Sequence, residues 1–123
     1  MSLSVPSSRP EFRVASLLAL GCTVAAAFVL CMPGAWIPQI PDWAEAGAHA
    51  VTLGGVALAW GLVFPRRLAI VAGASVLAAL GSELVQAYVV PLRTGAADDF
   101  AADLVGIAVA LAVAAGVRRA RAA

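Results

Sequence analysis

The sequence predicts an all-α integral membrane protein, a bundle of four transmembrane helices with its N-terminus and C-terminus in the cytoplasm. Two observations support this prediction. Of the 123 residues, 63% are hydrophobic and only 12% are charged, whereas a soluble domain is about 45–50% apolar and about 25% charged. The apolar residues also fall into four long blocks, separated by short segments that contain proline and arginine. The lipid bilayer is therefore the expected solvent.

A helix needs about 20 mostly apolar residues to cross the hydrocarbon core, and each of the four blocks is close to this length. The predicted spans are residues 14–32, 47–64, 68–90 and 100–117. Prolines follow the first three spans, where a helix is expected to end. The chain is thus divided into a disordered cytoplasmic tail (1–13), a membrane domain (14–117) and a basic cytoplasmic tail (118–123). Residues 65–67 are so short a joint that spans two and three must form an antiparallel hairpin.

The arginines predict the orientation, because basic residues near the ends of spans are retained on the cytoplasmic side. Seven of the eight fall on one side of a four-span arrangement: Arg9, Arg13, Arg66, Arg67, Arg118, Arg119 and Arg121. Arg93 alone lies on the other side, so both termini are expected inside. A secretory signal peptide over residues 1–32 is the competing interpretation, but the apolar run is long for one and no small-x-small cleavage site follows it.

Composition and spacing exclude several functions. The net charge is only +1 and the arginines are spread between apolar blocks, so no basic stripe is present and no nucleic acid is expected as a partner. Cys22 and Cys31 lie nine positions apart on one predicted helix, about 13 Å along its axis, which is beyond disulfide reach. The sequence has no glycine-rich phosphate loop and no haem or flavin signature, so no cofactor is predicted.

Small residues recur at four-residue spacing in spans three and four, a pattern that lets helix backbones approach closely in lipid. They are Ala74 and Ala78 in span three, and Ala108, Ala112 and Gly116 in span four. We expect these residues to form helix interfaces within a compact bundle, and the pattern also leaves an oligomer open.

Ionisable residues inside a membrane each cost about 2.5–3.5 kcal/mol at the centre of a helix on insertion scales, and so call for an explanation. Here the predicted topology gathers them at the outer ends of spans two, three and four, with His49 in the first turn of span two. The candidate pocket residues are His49, Glu83, Gln86, Arg93, Asp99 and Asp103, supported by Glu45 and Gly106. We expect them to share one polar pocket on the extracytoplasmic side.

Such a pocket has a chemical and a structural interpretation. A carboxyl group that holds a proton beside a histidine can serve acid–base catalysis or a proton relay, and Arg93 is placed to neutralise one carboxylate. Alternatively, Glu83 and Gln86 form interhelical hydrogen bonds and Asp99 caps the start of span four. Imidazole with carboxylates also suits divalent ions, but no spacing motif such as HExxH is present, so no metal is predicted.

The order of these residues resembles the VanZ-like family of small bacterial membrane proteins over residues 42–117. The motifs that carry the resemblance are Glu45 four positions before His49, the E-x-x-Q motif of Glu83 and Gln86, Arg93 after a proline-containing break, Asp99, and Gly106. The chain departs from the family pattern at Ala46, Thr52 and Asp103, where the family favours lysine, an aromatic residue and asparagine.

The resemblance implies a multi-pass protein of the bacterial cytoplasmic membrane that acts at the cell envelope and is associated with teicoplanin resistance. The expected partner is a membrane lipid or a lipid-linked cell-wall precursor. Two alternatives stay open: an intramembrane enzyme that acts on a lipid headgroup or acyl bond, with Glu83 and His49 as acid and base, and a structural subunit whose polar residues serve helix packing. A small transporter is disfavoured because no central polar path is visible.

Overall fold

The computed structural model describes residues 9–123. Within this range the chain forms four α-helices and no strand: α1 (Pro10–Leu30), α2 (Asp42–Val63), α3 (Leu68–Tyr88) and α4 (Ala97–Ala122). Each helix is long and apolar enough to cross a membrane. The predicted all-α bundle of four transmembrane helices is therefore confirmed, while the orientation of the termini stays a prediction.

The joints between the helices lie where the breakers predicted them. A 3-10 turn (Gly34–Trp36) follows α1, and Pro41 is the N-cap residue of α2. Residues 64–67 connect α2 directly to α3, which gives the expected hairpin. Cys22 and Cys31 are both free, as their spacing predicted.

The two ends of the chain are more helical than the predicted tails. Residues 1–8 of the predicted disordered tail lie outside the described residues, but residues 10–13 form the first turn of α1. Pro10 at the first helical position explains this early start, because its fixed φ suits a helix and its missing N–H is not needed there. At the other end, α4 continues through the basic residues as far as Ala122.

The most extensive interface in the bundle joins α2 and α4, and two glycines make it close. A Cβ atom on Gly54 would lie 2.9 Å from the carbonyl oxygen of Gly106, and a Cβ atom on Gly106 would overlap the carbonyl oxygen of Ala50. The two backbones therefore touch at this crossing, as small residues allow in membrane helices. The crossing lies directly beside the predicted polar residues.

Each of α3 and α4 turns one continuous stripe of residues inward. The buried residues are Val71, Ser75, Ala79, Glu83 and Gln86 on α3, and Asp99, Asp103, Ile107, Ala110 and Ala114 on α4. Both stripes follow the three-to-four-residue spacing of a helix face. At one end each stripe is polar, and along the rest it is small or apolar.

The small residues predicted to form these interfaces lie elsewhere, and that prediction was wrong. Ala74, Ala78, Ala108, Ala112 and Gly116 are all exposed on the surface of the bundle. The rotation of α3 and α4 instead places the carboxylates of Glu83 and Asp103 inside, because facing lipid would be far less favourable for them. The predicted residues are one or two positions away from the buried stripes, about 100° or more around the helix.

Candidate functional site

His49 is the centre of a buried polar cluster. His49 was predicted in the first turn of its helix. Because α2 begins at Asp42, His49 instead lies two turns inside the helix. The residue is only 3% exposed. Its ring lies next to the α2–α4 crossing, at the end of the bundle where α2 and α4 begin.

Three carboxylates surround this imidazole. The Nδ1 atom of His49 lies 3.3 Å from Oδ1 of Asp103 and 3.6 Å from Oε1 of Glu83, and its Nε2 atom lies 3.8 Å from Oδ2 of Asp99. All three acidic residues are buried, and Asp103 has no exposed surface at all. We call His49, Glu83, Asp99 and Asp103 the His49 cluster; it brings together four of the six predicted pocket residues.

Glu83 joins α3 to the start of α4. Its Oε2 atom accepts a hydrogen bond of 2.8 Å from the backbone N–H of Ala96, which is the N-cap residue of α4. Gly95 allows this approach, because a Cβ atom there would lie 2.5 Å from the carbonyl oxygen of Glu83. A carboxylate at a helix N-terminus is also favoured by the helix dipole. The second oxygen of Glu83 is left facing His49.

The two aspartates of α4 face the same histidine from successive turns. Asp99 accepts no hydrogen bond from the amides of the first turn of α4 or from any other group in residues 9–123, so the interpretation of Asp99 as a helix cap is not observed. Asp103 follows one turn later on the same face. Both side chains therefore belong to the His49 cluster and not to the capping of α4.

Several buried atoms of the cluster have no hydrogen-bond partner in the described part of the chain. They are His49 Nδ1, Glu83 Oε1, and both carboxylate oxygens of Asp103. The separations of 3.3 and 3.6 Å are longer than the about 2.9–3.0 Å of a usual N–H···O hydrogen bond. A buried polar atom left unpaired costs about 1–3 kcal/mol. Helix packing alone does not account for this arrangement.

The charges of the cluster are also unbalanced. Three carboxylates against one imidazolium leave two negative charges without a partner (−3 + 1 = −2). A buried charge is disfavoured unless it is paired, so protons or a bound cation must reduce this excess. Two sets of side chains could each ligate a metal: His49 with Glu83 and Asp103, and His49 with Glu45 and Asp99. Within each set, the potential ligand atoms lie within 4.8 Å of one another.

Arg93 does not neutralise the cluster, contrary to its predicted role. Among residues 9–123 it forms no ion pair with any carboxylate. Instead it lines a cavity of about 180 Å³ together with Glu45 and His49. Arg93 thus lies near the His49 cluster without an ion-pair partner among the described residues.

Gln86 is buried but belongs to a different contact. Its Nε2 atom donates a hydrogen bond of 3.0 Å to the carbonyl oxygen of Leu30 at the end of α1. Gln86 is 1% exposed and ties α3 to α1. This is the helix-packing role that the sequence analysis kept as its alternative.

The contribution of α1 to the site was missed. The cavity beside the His49 cluster is lined on its apolar side by Val29 and Leu30 at the end of α1, and by Met32 and Ile37 in the following connection. The pocket was predicted from spans two, three and four because only these carry charged residues. Since α1 is apolar all round, nothing in its sequence indicates which face lines a pocket.

No family model, curated protein or solved structure matches this chain. The resemblance to the VanZ-like family therefore stays a hypothesis that rests on the motifs named above. What the arrangement can do follows from its own geometry. A buried histidine among carboxylates, next to a cavity lined by an arginine, can bind a charged group, transfer protons or hold a cation.

Proposed function

We propose that this protein is a VanZ-like protein of the bacterial cytoplasmic membrane that binds an envelope lipid or a lipid-linked cell-wall precursor, and thereby affects sensitivity to teicoplanin. The ligand is bound at the end of the bundle that carries the His49 cluster, which the arginine distribution assigns to the extracytoplasmic side. The observation that carries the proposal is the cavity shared by Arg93, His49 and the end of α1.

Two adjoining cavities at this end of the bundle provide the two kinds of wall that a lipid requires. The first, which Glu45, His49 and Arg93 also line, has an almost entirely apolar surface, made mostly by residues such as Leu30 and Met32. A second cavity of about 330 Å³ adjoins it, shares Glu45 and Arg93, is lined mainly by the connections at this end of the bundle, and has a mostly polar surface. An amphiphile can place an acyl or isoprenoid chain along the apolar wall and its headgroup against the polar one.

Arg93 is the residue best suited to hold the headgroup. A guanidinium group matches phosphate oxygens with two parallel hydrogen bonds, and phosphate is common to phospholipids and to lipid-linked cell-wall precursors. Because Arg93 forms no ion pair among the described residues, a ligand does not have to displace an internal carboxylate. Glu45 and His49 are then left to contact the remaining polar groups of the headgroup.

The proposal is tested by teicoplanin susceptibility in a sensitive bacterium that expresses the wild type or Glu83→Gln at equal membrane levels. The expected result is that only the wild type protects, because the amide changes the charge that faces His49. Asp98→Asn is the matched control, since Asp98 is exposed and outside the cluster. Equal protection by Glu83→Gln would return the cluster to a packing role, and no protection by the wild type would separate this protein from teicoplanin.

Lipid binding itself is measured separately. Native mass spectrometry of the detergent-purified chain should show a retained phosphate-containing lipid with the wild type, and at least a tenfold lower occupancy with Arg93→Gln. Arg121→Gln is the control, because Arg121 is an exposed arginine at the other end of α4. Equal lipid occupancy in wild type and Arg93→Gln would overturn the proposed role of this cavity.

A second candidate function is an intramembrane enzyme that acts on a lipid headgroup or acyl bond. The position of His49 favours it, because this residue both lines the cavity and contacts two buried carboxylates, as a general base held by an acidic partner would. Overexpression should then change the mass profile of the membrane lipids, and the change should vanish with Glu83→Gln. An unchanged profile with ample wild-type protein present would argue against catalysis.

A further inference from the structure

We propose that His49, Glu83 and Asp103 bind one divalent transition-metal ion, with Zn²⁺ as the matching cation, where α2, α3 and α4 meet. The sequence alone predicts no metal, because no ligand-spacing motif is present. The folded chain brings one ligand from each of three helices to the same place, which a spacing motif along one segment cannot reveal. This inference does not depend on the proposed binding of a lipid.

The separations of the three side chains fit a shared ion. Zn²⁺ binds imidazole nitrogen and carboxylate oxygen at about 2.0–2.2 Å in tetrahedral geometry, so two such ligand atoms lie about 3.4 Å apart. The observed separations are 3.3 Å from His49 Nδ1 to Asp103 Oδ1 and 3.6 Å from His49 Nδ1 to Glu83 Oε1. These values are long for hydrogen bonds but match two edges of a coordination tetrahedron.

The same three atoms are among the buried atoms that have no hydrogen-bond partner in the described residues. Nδ1 of His49, Oε1 of Glu83 and Oδ1 of Asp103 are buried and accept or donate no hydrogen bond within residues 9–123. Asp103 is 0% exposed and His49 is 3% exposed, so water does not reach them freely from the surface. One cation bound between them would satisfy all three atoms at once.

Charge and orientation agree with this assignment. A divalent cation offsets two of the three negative charges of the His49 cluster, which no arginine does in the described part of the chain. Metal-binding histidines generally direct their other ring nitrogen at a carboxylate, and Nε2 of His49 faces Asp99 at 3.8 Å. This separation is longer than a hydrogen bond, so Asp99 contributes negative charge beside the ring and does not hold it by a hydrogen bond.

Three protein ligands leave a fourth position for water or for an oxygen atom of a ligand, as in zinc sites that act on substrates. Of the three ligands, His49 also lines the cavity of about 180 Å³, so a ligand bound in that cavity would lie close to the ion. The site is therefore suited to binding or polarising an incoming oxygen, and its buried carboxylates keep it selective for cations.

The test is a ZnCl₂ titration by isothermal calorimetry of the full-length chain in detergent, after removal of metals with EDTA. His49 is the sole histidine of the chain, so a polyhistidine tag must be avoided. We expect one Zn²⁺ per chain, and an affinity at least about 100-fold lower for Asp103→Asn, which removes a ligand. Asp98→Asn is the same change at an exposed aspartate on the same helix and should bind like the wild type.

Thermal unfolding gives a second readout that does not depend on activity. Zn²⁺ should raise the melting temperature of the wild type and of Asp98→Asn, because a ligand stabilises the folded state that binds it, and should not raise that of His49→Gln. A wild type that takes up less than about a tenth of an equivalent of Zn²⁺ overturns the proposal. So does a loss of affinity as large in Asp98→Asn as in Asp103→Asn.

Discussion

The imidazole of His49 on α2 faces the carboxylate of Asp103 on α4, with 3.3 Å between Nδ1 and Oδ1. This contact lies beside the crossing at which Gly106 lets the backbone of α4 touch that of α2 at Ala50. Gly106 is one turn along α4 from Asp103, and Ala50 is the residue after His49. The distance between the ring and the carboxylate is therefore coupled to the closeness of the two helices.

Gly106→Ala should destabilise the bundle. The added Cβ atom would overlap the carbonyl oxygen of Ala50 and lie 2.7 Å from its carbonyl carbon, so α2 and α4 must move apart. Overpacking of this kind costs roughly 1–3 kcal/mol, measurable as a lower melting temperature in detergent. Gly116→Ala is the control on the same helix, because a Cβ atom there would meet no other atom within 4 Å; equal melting temperatures for the two variants would contradict the close crossing.

Gln86→Leu should destabilise the contact between α3 and α1. Leucine has a similar volume but cannot donate to the carbonyl oxygen of Leu30, which Gln86 contacts at 3.0 Å. Leaving this buried acceptor unpaired is expected to cost about 1–3 kcal/mol. The control is thermal unfolding of Gln39→Leu, because Gln39 is the other glutamine of the chain and is exposed. Unchanged stability in Gln86→Leu would show that the hydrogen bond contributes nothing.

Trp60→Phe should weaken the contact of α2 with α1 at the other end of the bundle. Nε1 of Trp60 donates a hydrogen bond of 2.9 Å to Oγ1 of Thr23, and phenylalanine removes the donor. A net loss of about 0.5–1.5 kcal/mol is expected, read from thermal unfolding in detergent. Trp43→Phe, at a residue that is 78% exposed, should have no effect, and a comparable loss there would refute the assignment.

Asp103→Asn should raise stability when EDTA is present. The amide removes one of the three carboxylates around His49, of which a single imidazolium can pair only one, and a buried charge without a partner is strongly disfavoured. We expect the free energy of unfolding to be roughly 1 kcal/mol higher than that of the wild type, as at other sites where function opposes stability. A lower melting temperature than the wild type in EDTA would mean that Asp103 stabilises the metal-free fold.

The orientation of the bundle is tested with single cysteines in a chain that carries Cys22→Ala and Cys31→Ala. A membrane-impermeant maleimide should label Thr94→Cys, in the α3–α4 connection, in intact spheroplasts. The reagent should label Ala123→Cys only after the membrane is permeabilised, because the arginines retain the C-terminus inside. The reverse pattern of labelling would place the His49 cluster on the cytoplasmic side.

The four helices, their joints and the identity of the polar residues can be predicted from local properties of the chain. Helices and joints follow from local properties, since hydropathy over about 20 residues and the position of proline act within one segment. The polar residues could be singled out because an ionisable group in a membrane is disfavoured unless it faces the interior. That reasoning identified His49, Glu83, Asp99 and Asp103, all of which meet in the structure.

The partners of these residues depend on how the four helices pack against one another. Helices that are apolar all round have no amphipathic face to fix their rotation, so the interfaces were predicted at Ala74 and Ala78 although α3 buries Ser75 and Ala79. Gln86 bonds to α1 and Arg93 turns to a cavity, because both outcomes depend on the positions of other helices. Contacts between segments far apart in the chain are set by packing, and no local pattern encodes them.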